Sequence, residues 1–283
     1  MGYVLERKEE FDRLERQSEQ QAYDFKDELR DLQAKEGSLI LDAGCGSGVV
    51  SRYLATHFPK SRVIACDCSA LRIAQAAELA SSIGNLRFET QDLKQLDYPD
   101  DHFDVILSRY VVEHQTPDDL QRVVSEMVRV LKPGGRMVVV DVDGIMHNIY
   151  PQTRRVAQGL GLLLTAKRVD LHVGRKIPWL LAEAGLTSIS WRVEVMSFQG
   201  ASKSAELELM RDRFAIAAAF FEEVLGRESF QAFKDDYLQS LAHPQAVSFF
   251  NKFIVSATKP ELRRALSIDG DREPIREGRS LRG

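Results

Sequence analysis

Asp42, Gly44, Gly46 and Gly48 stand at alternate positions in the run Leu39-Ile40-Leu41-Asp42-Ala43-Gly44-Cys45-Gly46-Ser47-Gly48. Glycines so placed let a chain turn sharply and leave no side chain between the backbone and a ligand lying on it. A helical pattern of Val49, Val50, Tyr53, Leu54 and Phe58 begins at once. The turn therefore sits at a helix N-terminus, with free N–H groups and the positive end of the helix dipole. A dinucleotide fingerprint, G-x-G-x-x-G, needs its third glycine where this chain has Val49. The acid two residues before the first glycine is a poor neighbour for a pyrophosphate and a good one for a cationic amino-acid moiety. Asp67 ends the next apolar stretch, Val63-Ile64-Ala65-Cys66-Asp67. A carboxylate at the C-terminal edge of a strand accepts hydrogen bonds from a ribose diol; the alternative is an N-cap for a helix starting near Ser69. In Ser108-Arg109-Tyr110-Val111-Val112-Glu113-His114, His114 titrates near neutrality and can deprotonate an oxygen or nitrogen nucleophile. Glu113-His114 also reads as a plain link into the next helix, and Tyr110 as a wall or a hydrogen-bond donor to a substrate.

The elements that must position these residues follow from periodicity. Strands are predicted at 38–42, 62–67, 86–90, 103–108 and 135–141, and helices near 47–58, 69–83 and 117–131. That alternation predicts a parallel sheet with helices on both faces. Residues 5–35 favour two short helices or one bent one. Beyond Asp141, helices are expected near 151–165 and 174–184, a strand at 189–195, two helices over 203–242 and a closing strand at 249–257. Phe214, Ala217, Ala218 and Phe221 share one helical face, the pattern of packing. Residues 261–283 carry many charges and little apolar content, which predicts disorder.

The run LDAGCGSG resembles the first motif of the class I S-adenosylmethionine-dependent methyltransferases. The resemblance continues in order through Val63–Asp67, Glu89-Thr90-Gln91-Asp92-Leu93, Phe103-Asp104-Val105-Ile106 and Leu131-Lys132-Pro133-Gly134-Gly135, covering roughly 38–141. It implies a Rossmann-like, seven-stranded, mostly parallel α/β sheet with an N-terminal helical lead-in and a helical insertion before the last strand. The expected layout is a lid segment at 1–35, a methyltransferase domain at 36–260 with a cap at 200–246, and the tail. The cofactor implied is S-adenosyl-L-methionine. Asp42 and Gly44 would face its methionine moiety, with Cys45, Gly46 and Gly48 completing the loop. Asp67 would take the ribose, with Cys68 beside the adenine, where packing alone is an equal account. Asp92 would accept from the adenine amino group and the Leu93 N–H would meet a ring nitrogen, next to Gln91. Ser108 and Arg109 complete the cofactor set. A loop N–H or an arginine would receive the carboxylate, with Arg13, Arg16 and Arg109 as the candidate arginines.

The implied reaction moves a methyl group to an O, N or C nucleophile of a small or medium-sized metabolite, with His114 and Tyr110 as catalytic candidates. Tyr150, Trp179 and Phe198 are candidates for an apolar substrate pocket, and His147 and His172 for its mouth. A protein methyltransferase and a non-catalytic S-adenosylmethionine-binding module are the alternatives. A net charge of −4 and the lack of a Lys/Arg run outside 261–283 argue against nucleic acid. No apolar run reaches the roughly 20 residues of a membrane helix, and Met1 to Arg16 lacks the apolar core of a signal peptide. Cys45, Cys66 and Cys68 read as reduced cytosolic thiols, with no cluster of further ligands to make Cys66-x-Cys68 a metal site. A cytoplasmic monomer or homodimer is expected.

Overall fold

The structure, a computed structural model, describes residues 8–20, 23–166 and 168–261. Helix α1 (Lys8–Ser18) and a 3-10 turn (Glu28–Leu32) precede the sheet. Strand β1 (Leu39–Ala43) is buried at every position, as the centre of a parallel sheet covered on both faces must be. It pairs in parallel with β2 (Arg62–Asp67) on one side, and β2 with β3 (Leu86–Thr90). On its other side lie β4 (Phe103–Arg109) and then β5 (Leu131–Asp143), also parallel. Strand order thus reverses between β1 and β4, and the crevice at their C-terminal ends is where an open α/β sheet takes ligands.

The last strands close the sheet in antiparallel fashion. A two-residue strand β6 (Ile149–Tyr150) and the long β7 (Thr187–Ser197) both pair with β8 (Val247–Thr258), which also pairs with β5. The sheet has eight strands; the expected seven are joined by β6, a short annex at the start of β8.

Helices α2 (Val49–His57), α3 (Ala70–Leu79) and α4 (Pro117–Val130) connect the parallel strands. Helix α4 shows why they form where they do. The Thr116 side chain accepts from the Asp119 N–H, Pro117 occupies the first turn, and Leu120, Val123, Val124, Met127 and Val130 are buried at helical spacing. One face of the sheet packs on α4 and α6 (Ile177–Glu183), the other on α2 and the 3-10 turn.

A helical cap carries its own core. It consists of α5 (Arg154–Thr165), α7 (Gly200–Ile216), α8 (Ala218–Leu225) and α9 (Arg227–Ala242), packed through Leu160, Leu163, Phe214, Phe230, Phe233 and Tyr237. Three helices stand where the sequence predicts two over 203–242. The extra break comes at Ala217 and at Gly226, whose φ of 81° ends α8 in the left-handed region open to glycine. Among the described residues no helix is long and apolar enough to cross a membrane. The tail predicted from 261 lies, after Glu261, outside the described residues.

Candidate active site

The glycine loop is tied to the neighbouring strand. The N–H groups of Gly44 and Cys45 donate to the Cys66 carbonyl at 2.8 and 2.9 Å, and Gly46 N–H donates to Asp67 Oδ2 at 3.0 Å. Gly44 and Gly46 hold φ values of 82° and 56°. A Cβ on Gly44 would lie 2.4 Å from Val111 Cγ2, and one on Gly46 would lie 3.0 Å from Leu14 Cδ1. Their bareness lets the β4 loop and α1 close down on the strand ends. Between them runs a cavity of about 610 Å³, which reaches from this loop up to the helical cap.

Nine of the residues predicted to hold a cofactor line that cavity: Asp42, Gly44, Cys45, Gly46, Asp67, Cys68, Asp92, Leu93 and Arg109. Gly48, Gln91 and Ser108 do not. Gly48 is the N-cap of α2, Gln91 accepts the Asp97 N–H, and Ser108 is buried within β4. Asp42 accepts the Ser51 hydroxyl at 2.5 Å. Burial pushes its carboxyl up to about 6, against the pull of that hydrogen bond and of Arg109. Asp67 is not the helix cap: Ser69 caps α3, and Asp67 accepts from Gly46 N–H, Ser69 N–H and Arg72 Nη2. Asp92 accepts the Lys94 N–H and is otherwise exposed. Burial pushes the Cys45 and Cys66 thiols up, so neither is a nucleophile near neutrality.

The three arginines considered for a carboxylate are already engaged. Arg16 pairs with Asp212 on the surface and does not reach the cavity. Arg13 holds Glu10 with two nitrogens and Gln17 with a third. Arg109 donates to Glu28 Oε2 at 2.7 Å and to the Tyr23 carbonyl at 2.9 Å. Arg13 and Arg109 both line the cavity.

The loop after β4 is fixed by one carboxylate. Asp141, buried on β5, accepts N–H groups from Val111, Val112 and Glu113 on Oδ2, at 2.9 to 3.2 Å. Tyr110 is held there at a φ of 55°, unusual for a side chain of its size. Its buried hydroxyl has no hydrogen-bond partner among the described residues. Desolvation lowers His114 to about 4, so its ring is neutral near neutral pH, and it lines the cavity.

Two further groups escaped the sequence reading. Glu113 lines the cavity beside His114, 9% exposed, and burial pushes its carboxyl up to about 7. A roof of polar side chains joins α1 to α7: Arg213 reaches Glu206, Gln17 and the Tyr23 hydroxyl, and Tyr23 donates to Glu206. Glu113 had a signal, since it precedes His114 in the same loop. Arg213 had none, because two of its partners, Gln17 and Tyr23, lie 196 and 190 residues before it.

The predicted substrate aromatics are placed elsewhere. Tyr150 and Trp179 are 73% and 70% exposed on β6 and α6, away from the cavity. Phe198 packs against Tyr23 and Phe250. The aromatic wall is made instead by Phe220 and Phe221, with Leu163 and Met210 beside them. His147 and His172 lie side by side with ring centroids 4.8 Å apart and planes tilted by 52°, and they do not line the cavity.

Residues 40–135 match a family model described as a methyltransferase domain. The chain is similar to a malonyl-[acyl-carrier protein] O-methyltransferase of Herminiimonas arsenicoxydans, 35% identical over 42% of this chain and 43% of that one. It is similar to phosphoethanolamine N-methyltransferase 3 of Arabidopsis thaliana, 30% identical over 56% of this chain and 30% of that one. The chain thus spans less than half the length of these curated relatives. The crystal structure of the YcgJ protein from Bacillus subtilis shares the fold, with a TM-score of 0.55 at 18% identity over 83% of this chain and 97% of that one.

Proposed function

We propose that this chain, whose residues 40–135 match a methyltransferase domain model, is a class I S-adenosylmethionine-dependent methyltransferase of a small or medium-sized, partly apolar metabolite. The observation that carries the reading is the cavity over the glycine loop. It joins the bare glycine loop, Asp67 and Asp92 at one end to Leu163, Met210, Phe220 and Phe221 at the other, so cofactor and acceptor share one space. The residues suit the cofactor. Gly44 and Gly46 leave backbone open to a ligand, Asp42 offers a charge for an ammonium, and Asp67 and Asp92 offer acceptors for hydroxyl and amino groups. When bound, S-adenosylmethionine supplies an electrophilic methyl group on a sulfonium centre.

The chain's own contribution is to hold an acceptor in line and keep water out. Apolar side chains of the cap exclude solvent from the acceptor end, and the polar roof of α1 and α7 closes over it. Tyr110 brings a hydroxyl with its hydrogen bond unspent to the loop where the two ends meet. The relatives named above act on an acyl-carrier-bound malonyl group and on phosphoethanolamine, so likeness fixes the methyl donor better than the acceptor.

The test is calorimetric titration with S-adenosylmethionine, S-adenosylhomocysteine and NADH, followed by an acceptor screen with labelled methyl groups. Binding of the two adenosyl ligands and label transfer to a small metabolite is the expected result; binding of NADH alone overturns the reading. On the acceptor found, Tyr110→Phe is expected to lower turnover about 10-fold, the worth of one hydrogen bond in a dry site. Its S-adenosylhomocysteine affinity should stay near wild type. Unchanged turnover would leave Tyr110 as wall only.

A further inference from the structure

The acids around the cavity differ in what they hold. Glu10 is paired with Arg13, Asp42 holds the Ser51 hydroxyl, and Asp67 takes three donors. Glu113 holds nothing at that distance. Its Oε1 lies 3.5 Å from His114 Nε2, and its carboxylate makes no shorter hydrogen bond or ion pair among the described residues. Its backbone, by contrast, is fixed through the Asp141 carboxylate. An immobilised backbone carrying an uncommitted, buried carboxylate at the cavity wall is the arrangement of a group kept for a ligand.

The charges that face Glu113 say which ligand. From α1 come Arg13 and Glu10, from α7 Arg213 and Glu206, from the segment before α6 Asp170, and from β5 Asp141; His114 is its neighbour in the loop. The two guanidiniums are bound to Glu10 and to Glu206, and neither forms an ion pair with Glu113. Arg213 and Arg13 are nonetheless the two largest charge influences on Glu113, and guanidinium groups stabilise an oxygen that becomes anionic. Tyr110, three residues before Glu113 in the same loop, also lines the cavity and keeps its hydroxyl hydrogen bond unspent.

Resting on the methyltransferase reading, we propose that Glu113 is the base for the acceptor, and that the acceptor is an apolar molecule bearing a weakly acidic hydroxyl, a phenol or an enol. The hydroxyl proton passes to a Glu113 carboxylate oxygen. The freed oxygen lone pair forms the O–CH₃ bond as the methyl–sulfur bond breaks, the bonding pair stays on sulfur as a neutral thioether, and the Glu113 proton leaves to solvent with product. A carboxylate raised to about 7 matches the strength such a transfer needs at neutral pH.

The experiment has two readouts on protein loaded with S-adenosylhomocysteine or S-adenosylmethionine. First, infrared titration of the S-adenosylhomocysteine complex is expected to show a protonated-carboxyl band lost with a midpoint near 7. That band should move on labelling glutamate with carboxyl ¹³C and vanish in Glu113→Gln. The labelling arm needs no variant, so a poorly folding one leaves the test intact. Second, 4-alkylphenols of increasing chain length, offered with labelled S-adenosylmethionine, are expected to yield O-methyl ethers. That rate should fall about 100-fold in Glu113→Gln with S-adenosylhomocysteine affinity retained. No glutamate band titrating near neutrality, no phenol methylated, or an undiminished rate in Glu113→Gln overturns the proposal. Failure of the wild-type protein to bind S-adenosylhomocysteine at all instead overturns the methyltransferase reading.

Discussion

Asp42→Asn is expected to melt later than the wild-type protein at pH 7.5 and to lose most of its affinity for S-adenosylmethionine. Both effects come from one buried charge. The Asp42 carboxyl is 2% exposed and raised from 3.8 to about 6 by desolvation. An acid with a raised native pKa binds its proton more tightly folded than unfolded. Stability therefore falls as pH climbs through the window from about 4 to about 6, and the full cost is present above it. A shift of that size corresponds to roughly 3 kcal/mol. Asparagine keeps an oxygen for the Ser51 hydroxyl and cannot ionise, so most of that cost disappears. For a domain of this size the melting temperature should rise on the order of 5 °C at pH 7.5, and hardly at all at pH 4. On the proposed reading the same carboxylate is the charge for the ligand's ammonium, so affinity should fall by about 10-fold or more, as loss of an ionic hydrogen bond implies. Wild-type affinity for S-adenosylhomocysteine should itself weaken about tenfold per pH unit below 6, as Asp42 takes up its proton; in Asp42→Asn that dependence should vanish. Thermal melts and calorimetry at four pH values settle both halves. An asparagine variant that binds as well as wild type would remove Asp42 from the ligand's surroundings.

The two ends of this cavity were unequally legible in the sequence. The cofactor end is written locally. Leu39–Ala43, Arg62–Asp67 and Leu86–Thr90 are short strands, and each of Gly44, Asp67 and Asp92 ends one of them or follows it within two residues. A strand's position therefore fixes its loop, and the order of the strands brings the loops together at the β1–β4 switch point. The acceptor end is not local. Periodicity shows that a helix has an apolar face without saying whether that face meets a core or a cavity. Trp179 on α6 turned out exposed, whereas Phe220 and Phe221, in a run that read as packing, form the cavity wall. The roof is more distant still, since Gln17, Tyr23 and Arg213 meet only after α7 folds back across α1. The break at Ala217 shows the same limit. It falls in an alanine-rich stretch with no proline, and only tertiary packing marks it.

Asp67→Ala is expected to lose S-adenosylhomocysteine binding and, unlike a residue that only touches ligand, to weaken the fold as well. Asp67 does two jobs. Its Oδ2 takes the Gly46 N–H at 3.0 Å, and its Oδ1 takes the Ser69 N–H and Arg72 Nη2, both at 2.9 Å. A carboxylate has about four acceptor directions, so only one is left for a ribose hydroxyl. Alanine strips a partner from the loop amide that shapes the glycine turn and from a guanidinium that is 3% exposed. Removing one side of a buried pair costs about 3–5 kcal/mol, and the further interaction that Arg72 keeps places the loss at the lower end, roughly 5 °C of melting temperature. Lost binding alone would then not separate a ligand role from a collapsed loop. Arg72→Met makes the separation. It removes the same ion pair and costs similar stability, but leaves the carboxylate on Gly46 and frees a second acceptor direction. S-adenosylhomocysteine should bind Arg72→Met within a few-fold of wild type and bind Asp67→Ala at least 50-fold more weakly, an amount of the order of a charged hydrogen bond and its loop. Equal losses in the two variants would assign Asp67 to the shape of the turn and leave the ribose without its acceptor.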